Sequence, residues 1–340
     1  HEPPPRCGSG GEGLGRAGPR LSPAMSERCC ETPPRRRFSS DFVPELDDEL
    51  VQLKLSALDA EAPPTTLRVV TWNVWFAERS RFRRGAELLK AALRCDPHVV
   101  CLQEVTPALL QLIFSSQCLR ERFAMSGPLE HSYDVLILVR VDLKACFWSI
   151  DIPTKFGRRC LVADIVTAGG VAVRVATVHL ESLKENWNFR ERQLQRILSG
   201  ISRPYSSTSE CMPSSVILCG DFNFCSAWPE NSLVADSGFV DLWPRLQGSD
   251  PGFTEDTSCN EMLAETCREP QQVRFDRVLL GTMHDQLEKH ASFATALSIQ
   301  LLGTTSISAG LWPSDHFGLS AEIGLSDSAH GPAAEGLYVC

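Results

Sequence analysis

The sequence predicts an α/β protein in which strands pack as two sheets with helices on the outside. Three observations carry that expectation. Strand-length, β-branched apolar runs alternate with stretches of helical spacing through the middle of the chain. Gly169-Gly170 sits between two such runs as a hairpin signal. A length of 340 residues, 43% hydrophobic and 22% charged, is enough for a substantial core.

In chain order, residues 1–65 read as a disordered tail. They are rich in Pro, Gly and Arg at the start, then pass through the basic "PPRRRF" to the acidic "DFVPELDDEL". The chain begins at His1, Met25 is a candidate start, and no charged segment followed by an apolar stretch suggests a signal peptide. Residues 66–325 read as one folded domain. Its strands are "LRVVTWNV", "PHVVCLQEV", "YDVLILVRV", "CLVADIV", "VAVRVATVHL", "SSVILCGDFN", "VRFDRVLLG" and "HFGLSAEI". Helical spacing covers Gly85–Arg94, Thr106–Cys118 and Asn188–Leu198, with Thr106-Pro107 as a helix start. Residues 326–340 read as a loose C-terminal tail.

A net charge of −9 argues against a broad nucleic-acid-coating surface and leaves room for a narrow phosphate-binding groove. No apolar run approaches the roughly 20 residues of a bilayer span, so no membrane role is expected. The 14 cysteines include no CxxC pair, and Cys101 and Cys219 lie inside apolar runs. They read as reduced thiols in an intracellular protein of the nucleus, the cytoplasm or both.

Polar residues interrupt these runs at particular places. Asn73, Glu104, His179, and Asp221 with Asn223 end four of them, while Asp276 and Ser314-Asp315-His316 introduce two more. Each alone reads as a turn or capping residue. If neighbouring strands bring these ends to one sheet edge, carboxylates, amides and imidazoles converge. Hard carboxylate and amide oxygens suit Mg²⁺, or Mn²⁺, and the set suits attack of water on a phosphodiester. An Asp can orient or deprotonate the water, and imidazole and amide donors stabilise the developing charge. P-loop, HExxH and GxSxG signatures are missing from the sequence.

The ordered motifs "TWN", "LQEV", "HLES", "GDFN", "RFDR" and "SDH" resemble the endonuclease/exonuclease/phosphatase superfamily, from about Arg68 to Leu325. The resemblance implies a DNase I-like, four-layered α/β/β/α sandwich with the site at one end of the sheets, and Mg²⁺-dependent phosphoester hydrolysis. It implies Glu104 as the main metal ligand, with Asn73 binding metal or phosphate and Asp315 supporting the metal shell. Asp221 would position or activate water beside Asn223. His316, oriented by Asp276, would bind the phosphoryl oxygens, and His179 would donate to the phosphate or leaving group.

Within the superfamily the motifs are most similar to the 5′-tyrosyl-DNA phosphodiesterase branch, which implies a nucleic-acid end as substrate. An RNA 3′ end, a small phosphoester and a non-enzymatic protein-binding role are the alternatives. Cys225 stands where that branch carries an Arg, and Glu255 where it carries an aromatic residue; Glu255 is expected to repel phosphate unless it turns outward. Arg158, Arg159 and Arg192 are expected to meet the substrate. Arg190 and Arg196 read as a solvated helix face, and Trp75, Trp187 and Trp312 first as packing groups.

Overall fold

The computed structural model describes residues 65–167, 169–203, 213–282 and 293–326, together with Leu46 and Leu50. Alternating side chains sort the first sheet's strands between two faces: Leu67 and Val69 turn inward while Val70 and Trp72 turn outward. That sheet runs β13 (Phe293–Leu302), β14 (Gly318–Ser326), β1 (Thr66–Asn73), β2 (Val99–Val105), β4 (Asp134–Arg140) and β3 (Phe123–Met125). The second runs β5 (Lys144–Asp151), β6 (Arg159–Val166), β7 (Ala172–His179), β8 (Ser215–Asp221), β12 (Asp276–Thr282) and β9 (Val240–Asp241). Their inner faces share one core, in which Val69, Val99, Cys101 and Ile137 meet Val175, Ile217, Cys219 and Val278.

Helices close both outer faces. Leu88, Leu89 and Leu93 of α1 (Arg81–Arg94) and Leu112 and Ile113 of α2 (Pro107–Ser115) pack on Val70, Trp72 and Leu102. Leu194 and Ile197 of α4 (Trp187–Ile201) cover Val162, Ala176 and Leu218 on the other side. The result is the expected α/β/β/α sandwich.

Several elements differ from the sequence reading. The helical stretch 106–118 divides at Ser116, whose extended backbone ends α2 and whose side chain caps α3 (Gln117–Arg122). The edge strand β5 and the bulged β13 are added. The Gly169-Gly170 hairpin is present between β6 and β7, with Gly170 at φ +81°. Most of 1–65, and residues 327–340, lie outside the described residues. Leu46 and Leu50 are in helical backbone and buried in the cluster with Val70, Trp72 and Leu88, so this part of the proposed tail packs on the domain.

Strand register places the polar residues. Parallel β7 and β8 pair His179 with Asp221, and antiparallel β12 sets Asp276 opposite Asp221. In the other sheet, parallel β1 and β2 pair Asn73 with Gln103, one residue before Glu104. β14 runs antiparallel to β1, so His316, just before it, enters at the same end. Gly220 lies at φ +128°, and a Cβ there would sit 2.0 Å from the Val178 carbonyl, so only glycine lets β8 run this close to β7.

Candidate active site

Sheet-end geometry becomes a hydrogen-bonded cluster. Asn73 Nδ2 donates to Asp221 Oδ2 at 3.0 Å, joining the two sheets, and the Asn223 amide donates to Asp221 Oδ1 at 2.9 Å. His179 Nε2 lies 3.4 Å from Asp221 Oδ2 and 3.9 Å from Glu104 Oε1. His316 Nδ1 meets Asp276 Oδ2 at 2.8 Å. Ser314 donates to the Asn73 carbonyl at 2.6 Å and lies 3.1 Å from Asp315 Oδ1. All the strand-end residues singled out in the sequence are therefore brought together.

Local backbone supports the arrangement. Glu104 at φ +60° and Asn223 at φ +54° hold left-handed conformations that non-glycine residues rarely adopt. The Phe76 amide donates to Glu104 Oε2 at 2.9 Å. Arg84, fully buried, donates to the carbonyls of Val74, Trp75, Ala77, Arg79 and Pro313, tying the turn after β1 to the one before His316. Its helical position in α1 gave the sequence no sign of this role.

The two histidines differ electrostatically. Arg158 donates to His179 Nδ1 at 2.9 Å, and because a guanidinium only donates, the His179 proton resides on Nε2, facing Asp221. Burial, with the positive charges of Arg158 and His316, pushes His179 well below the ordinary imidazole value. For His316, burial opposes the charged form, but the carboxylates of Asp276 and Glu255 outweigh it and raise the imidazole well above its ordinary value. Burial and the Asp276 charge raise Asp221 to about 7 against the pull of His316. Burial likewise raises Asp315 to about 7, with Glu104 and Glu255 adding to it and His316 opposing.

Profile comparison places residues 70–316 in the Endonuclease/Exonuclease/phosphatase family. The chain belongs to that family. Among relatives of this endonuclease/exonuclease/phosphatase chain, the Tyrosyl-DNA phosphodiesterase 2 of Xenopus laevis is 25% identical over 290 residues, 84% of this chain and 74% of the relative. That of Danio rerio is 28% identical over 264 residues, 76% of this chain and 67% of the relative. The crystal structure of D. rerio TDP2 complexed with single strand DNA product superposes with a TM-score of 0.63 at 25% identity, covering 77% of this chain and all of that one. The resemblance carried by the six motifs and the DNase I-like sandwich are both borne out.

The basic residues of this family member divide sharply. Arg158 is in the site, reaching His179 and, at 3.2 Å, Ser182 Oγ. Arg159 is ion-paired instead: Asp134 at 2.7 Å and Glu130 at 2.5 Å hold it at the start of β6. Arg192 lies on the exposed face of α4, over the Phe189 ring and bonded to the Asn188 carbonyl, apart from the cluster. Arg190 is no solvated residue: it is fully buried and paired with Glu230 at 2.9 Å. Arg196 is half-buried, with Nε 3.5 Å from the Asp151 carbonyl.

Aromatic placement also differs. Trp312 is buried against Phe317 and Met262, Trp75 lies under Arg84, and Trp187 is exposed at the start of α4. The aromatic wall beside Glu104 is instead Phe76 stacked on Tyr133 at 4.9 Å, with Arg158 over Tyr133 at 5.1 Å. Neither ring carried a motif signal, because Phe76 lies beyond "TWN" and Tyr133 opens the apolar run "YDVLILVRV". Glu255, expected to repel phosphate unless it turned outward, turns in: its Oε1 lies 3.0 Å from His316 Nε2.

Proposed function

We propose that this chain is a Mg²⁺-dependent phosphodiesterase that hydrolyses the phosphodiester at a nucleic-acid end, with a 5′-tyrosyl DNA adduct as substrate. The observation that carries the reading is geometric: at one end of the two sheets His179 Nε2 lies 3.4 Å from Asp221 and 3.9 Å from Glu104, Asn73 of the other sheet donates to the same Asp221 oxygen, and Asp276, opposite Asp221 in register, holds His316 beside Asp315. The surroundings of His179 favour its neutral form and those of His316 its charged form, so one ring is suited to donate and the other to meet developing negative charge. The similarity to tyrosyl-DNA phosphodiesterases supports the substrate.

Donor chemistry fits a divalent ion. Burial, with neighbouring carboxylates adding to it, raises both Asp221 and Asp315, and the carboxylate and amide oxygens of Glu104, Asp315 and Asn73 are the hard donors that Mg²⁺ takes. Among the described residues no group of three His, Cys, Asp or Glu side chains is gathered to hold a metal. Mg²⁺ asks for less, since one or two carboxylates suffice alongside water and substrate phosphate. Glu104 and Asp315 would hold it, with Asn73 adjacent, and it would polarise the phosphoryl oxygens and steady the leaving oxygen.

The chain's own groups do the rest. Asp221 accepts a proton from, or orients, the attacking water, whose oxygen bonds to phosphorus as the P–O bond to the leaving group breaks. His316, held through Nδ1 by Asp276 and through Nε2 by Glu255, supplies positive charge beside the phosphoryl oxygens. His179 directs its Nε2–H into the same space, and Asn73 and Asn223 hold Asp221 in place. Arg158 fixes the His179 tautomer, and the Phe76–Tyr133 stack offers an aromatic surface beside Glu104 on which a tyrosyl ring or base can rest. A substrate on DNA puts the protein in an intracellular compartment, nucleus or cytoplasm.

A panel of a 5′-phosphotyrosyl oligonucleotide, a poly(A) RNA and an inositol polyphosphate, each assayed with Mg²⁺, tests the substrate. Turnover of the first, yielding tyrosine and a 5′-phosphate end, is expected. Turnover of only the RNA or the inositol compound would move the assignment elsewhere in the family, and turnover of none would leave a binding role.

A further inference from the structure

His316 carries two carboxylates where one is enough. Asp276, on Nδ1 at 2.8 Å, already orients the ring and supports its charge. Glu255 occupies Nε2 at 3.0 Å, the only ring nitrogen left to face a substrate. Its position is enforced by the backbone. Thr254 donates its amide to the Val273 carbonyl at 2.9 Å and accepts the Phe317 amide at 2.7 Å. Thr254 Oγ1 accepts the amides of Phe275 and Asp276, both at 3.1 Å. The short ribbon of β10 (Glu255–Asp256) and β11 (Gln272–Val273) completes the frame, and Gln271 Nε2 donates to the other carboxylate oxygen. Glu255 is therefore 8% exposed, with one carboxylate oxygen held by Gln271 and the other by His316.

We infer that Glu255 is a specificity-determining residue that sets the charge of the phosphate this site accepts, favouring a monoanionic diester over a dianionic monoester. The inference rests on the phosphodiesterase reading above. With the Nε2–H taken by Glu255, a phosphoryl oxygen drawn to the His316 charge at that edge of the ring comes within about 5 Å of the Glu255 carboxylate. Coulomb repulsion is linear in charge, and at such distances each unit of phosphate charge is disfavoured about tenfold between the screening of water and that of a protein surface. A diester carries one negative charge, whereas a terminal phosphate carries close to two at neutral pH. The same carboxylate that tolerates the substrate thus expels its 5′-phosphate product.

The test compares two fluorescent oligonucleotides of one sequence, one ending in a 5′-phosphate and the other in its 5′-methyl phosphodiester, which differ by a single charge. Binding to the full chain is read by anisotropy with Ca²⁺ in place of Mg²⁺, the diester checked for cleavage at the end of each titration, for the unaltered protein and for Glu255→Gln, Glu255→Ala and Glu255→Asp. The ratio of the two affinities is expected to move about tenfold toward the monoester in the Gln and Ala variants and to stay within about threefold in Asp. A merely structural role would weaken both ligands alike and leave the ratio in place. An unchanged ratio in Gln and Ala, or a shift toward the diester, overturns the inference. Because binding needs no turnover, a ratio that shifts in a protein unable to cleave the 5′-phosphotyrosyl oligonucleotide would defeat the functional reading and keep this one. Failure to bind either oligonucleotide would defeat both.

Discussion

Glu104 is held in a left-handed backbone conformation at φ +60°, at the end of a buried strand, with one oxygen fixed by the Phe76 amide and the other facing His179. A side chain so constrained contributes little to the core, so Glu104→Gln is expected to fold normally and to lose at least about a hundredfold in metal-dependent turnover. Circular dichroism with a turnover assay checks both halves. Asp221→Asn and His316→Ala are each expected to lower turnover by about a hundredfold or more, measured as kcat at saturating substrate. At this scale the sequence was informative wherever a polar residue interrupted an apolar run, as at Asn73, Glu104, His179 and Asp221. It was silent on Arg84 and on the Phe76–Tyr133 stack, whose roles depend on what lies opposite them in space. Arg159 and Arg190 illustrate the converse, since their carboxylate partners Asp134 and Glu230 are 25 and 40 residues away.

One histidine joins the strands at the opposite end. His98, just before β2, accepts the Arg68 amide on Nδ1 at 3.0 Å, donates its own amide to the Arg68 carbonyl, and accepts the Arg140 amide on its carbonyl, so it ties β1, β2 and β4 together. Burial, with the charges of Arg140 and Arg68, lowers its pKa to about 4, below the ordinary 6.5. Its contribution to stability is complete above pH 6.5 and drains away as pH falls from 6.5 to 4, by about 3 kcal/mol in all. His98→Asn, whose Oδ1 can accept the same amide without titrating, should flatten this part of the acid limb. Urea unfolding at pH 7 and pH 4.5 reads the difference, and equal losses in both proteins would remove His98 as the cause. Elements buried on both faces, such as β4 and β8, announce themselves as continuous apolar runs. The edge strand β5, with four of its first residues at least partly exposed, and β13, interrupted by a bulge between Ala296 and Ser298, lack that signature.

Across the molecule, the four-layered architecture follows from outward and inward faces that are both apolar, and the site from the way parallel pairs β1–β2 and β7–β8 end on the same side. Composition was less able to mark where the folded unit begins, because Leu46 and Leu50 are two apolar residues in an acidic, Pro-containing stretch and still join the core on Trp72. Deleting residues 1–40 is expected to leave stability unchanged. Leu50→Ala, at 1% exposure, is expected to cost about 2–5 kcal/mol in a denaturant melt. The described residues include no helix long and apolar enough to cross a membrane.

The central claim is that this sheet-end cluster hydrolyses a phosphodiester with a divalent ion held by Glu104. The most direct measurement is the rate at which the full chain, with Mg²⁺ and with chelator, converts a 5′-phosphotyrosyl oligonucleotide to a 5′-phosphate oligonucleotide, beside the same rate for Glu104→Gln. The account predicts turnover with Mg²⁺ that chelator abolishes and that falls at least about a hundredfold in the folded variant. Turnover that persists in chelator, or that Glu104→Gln leaves intact, would contradict it.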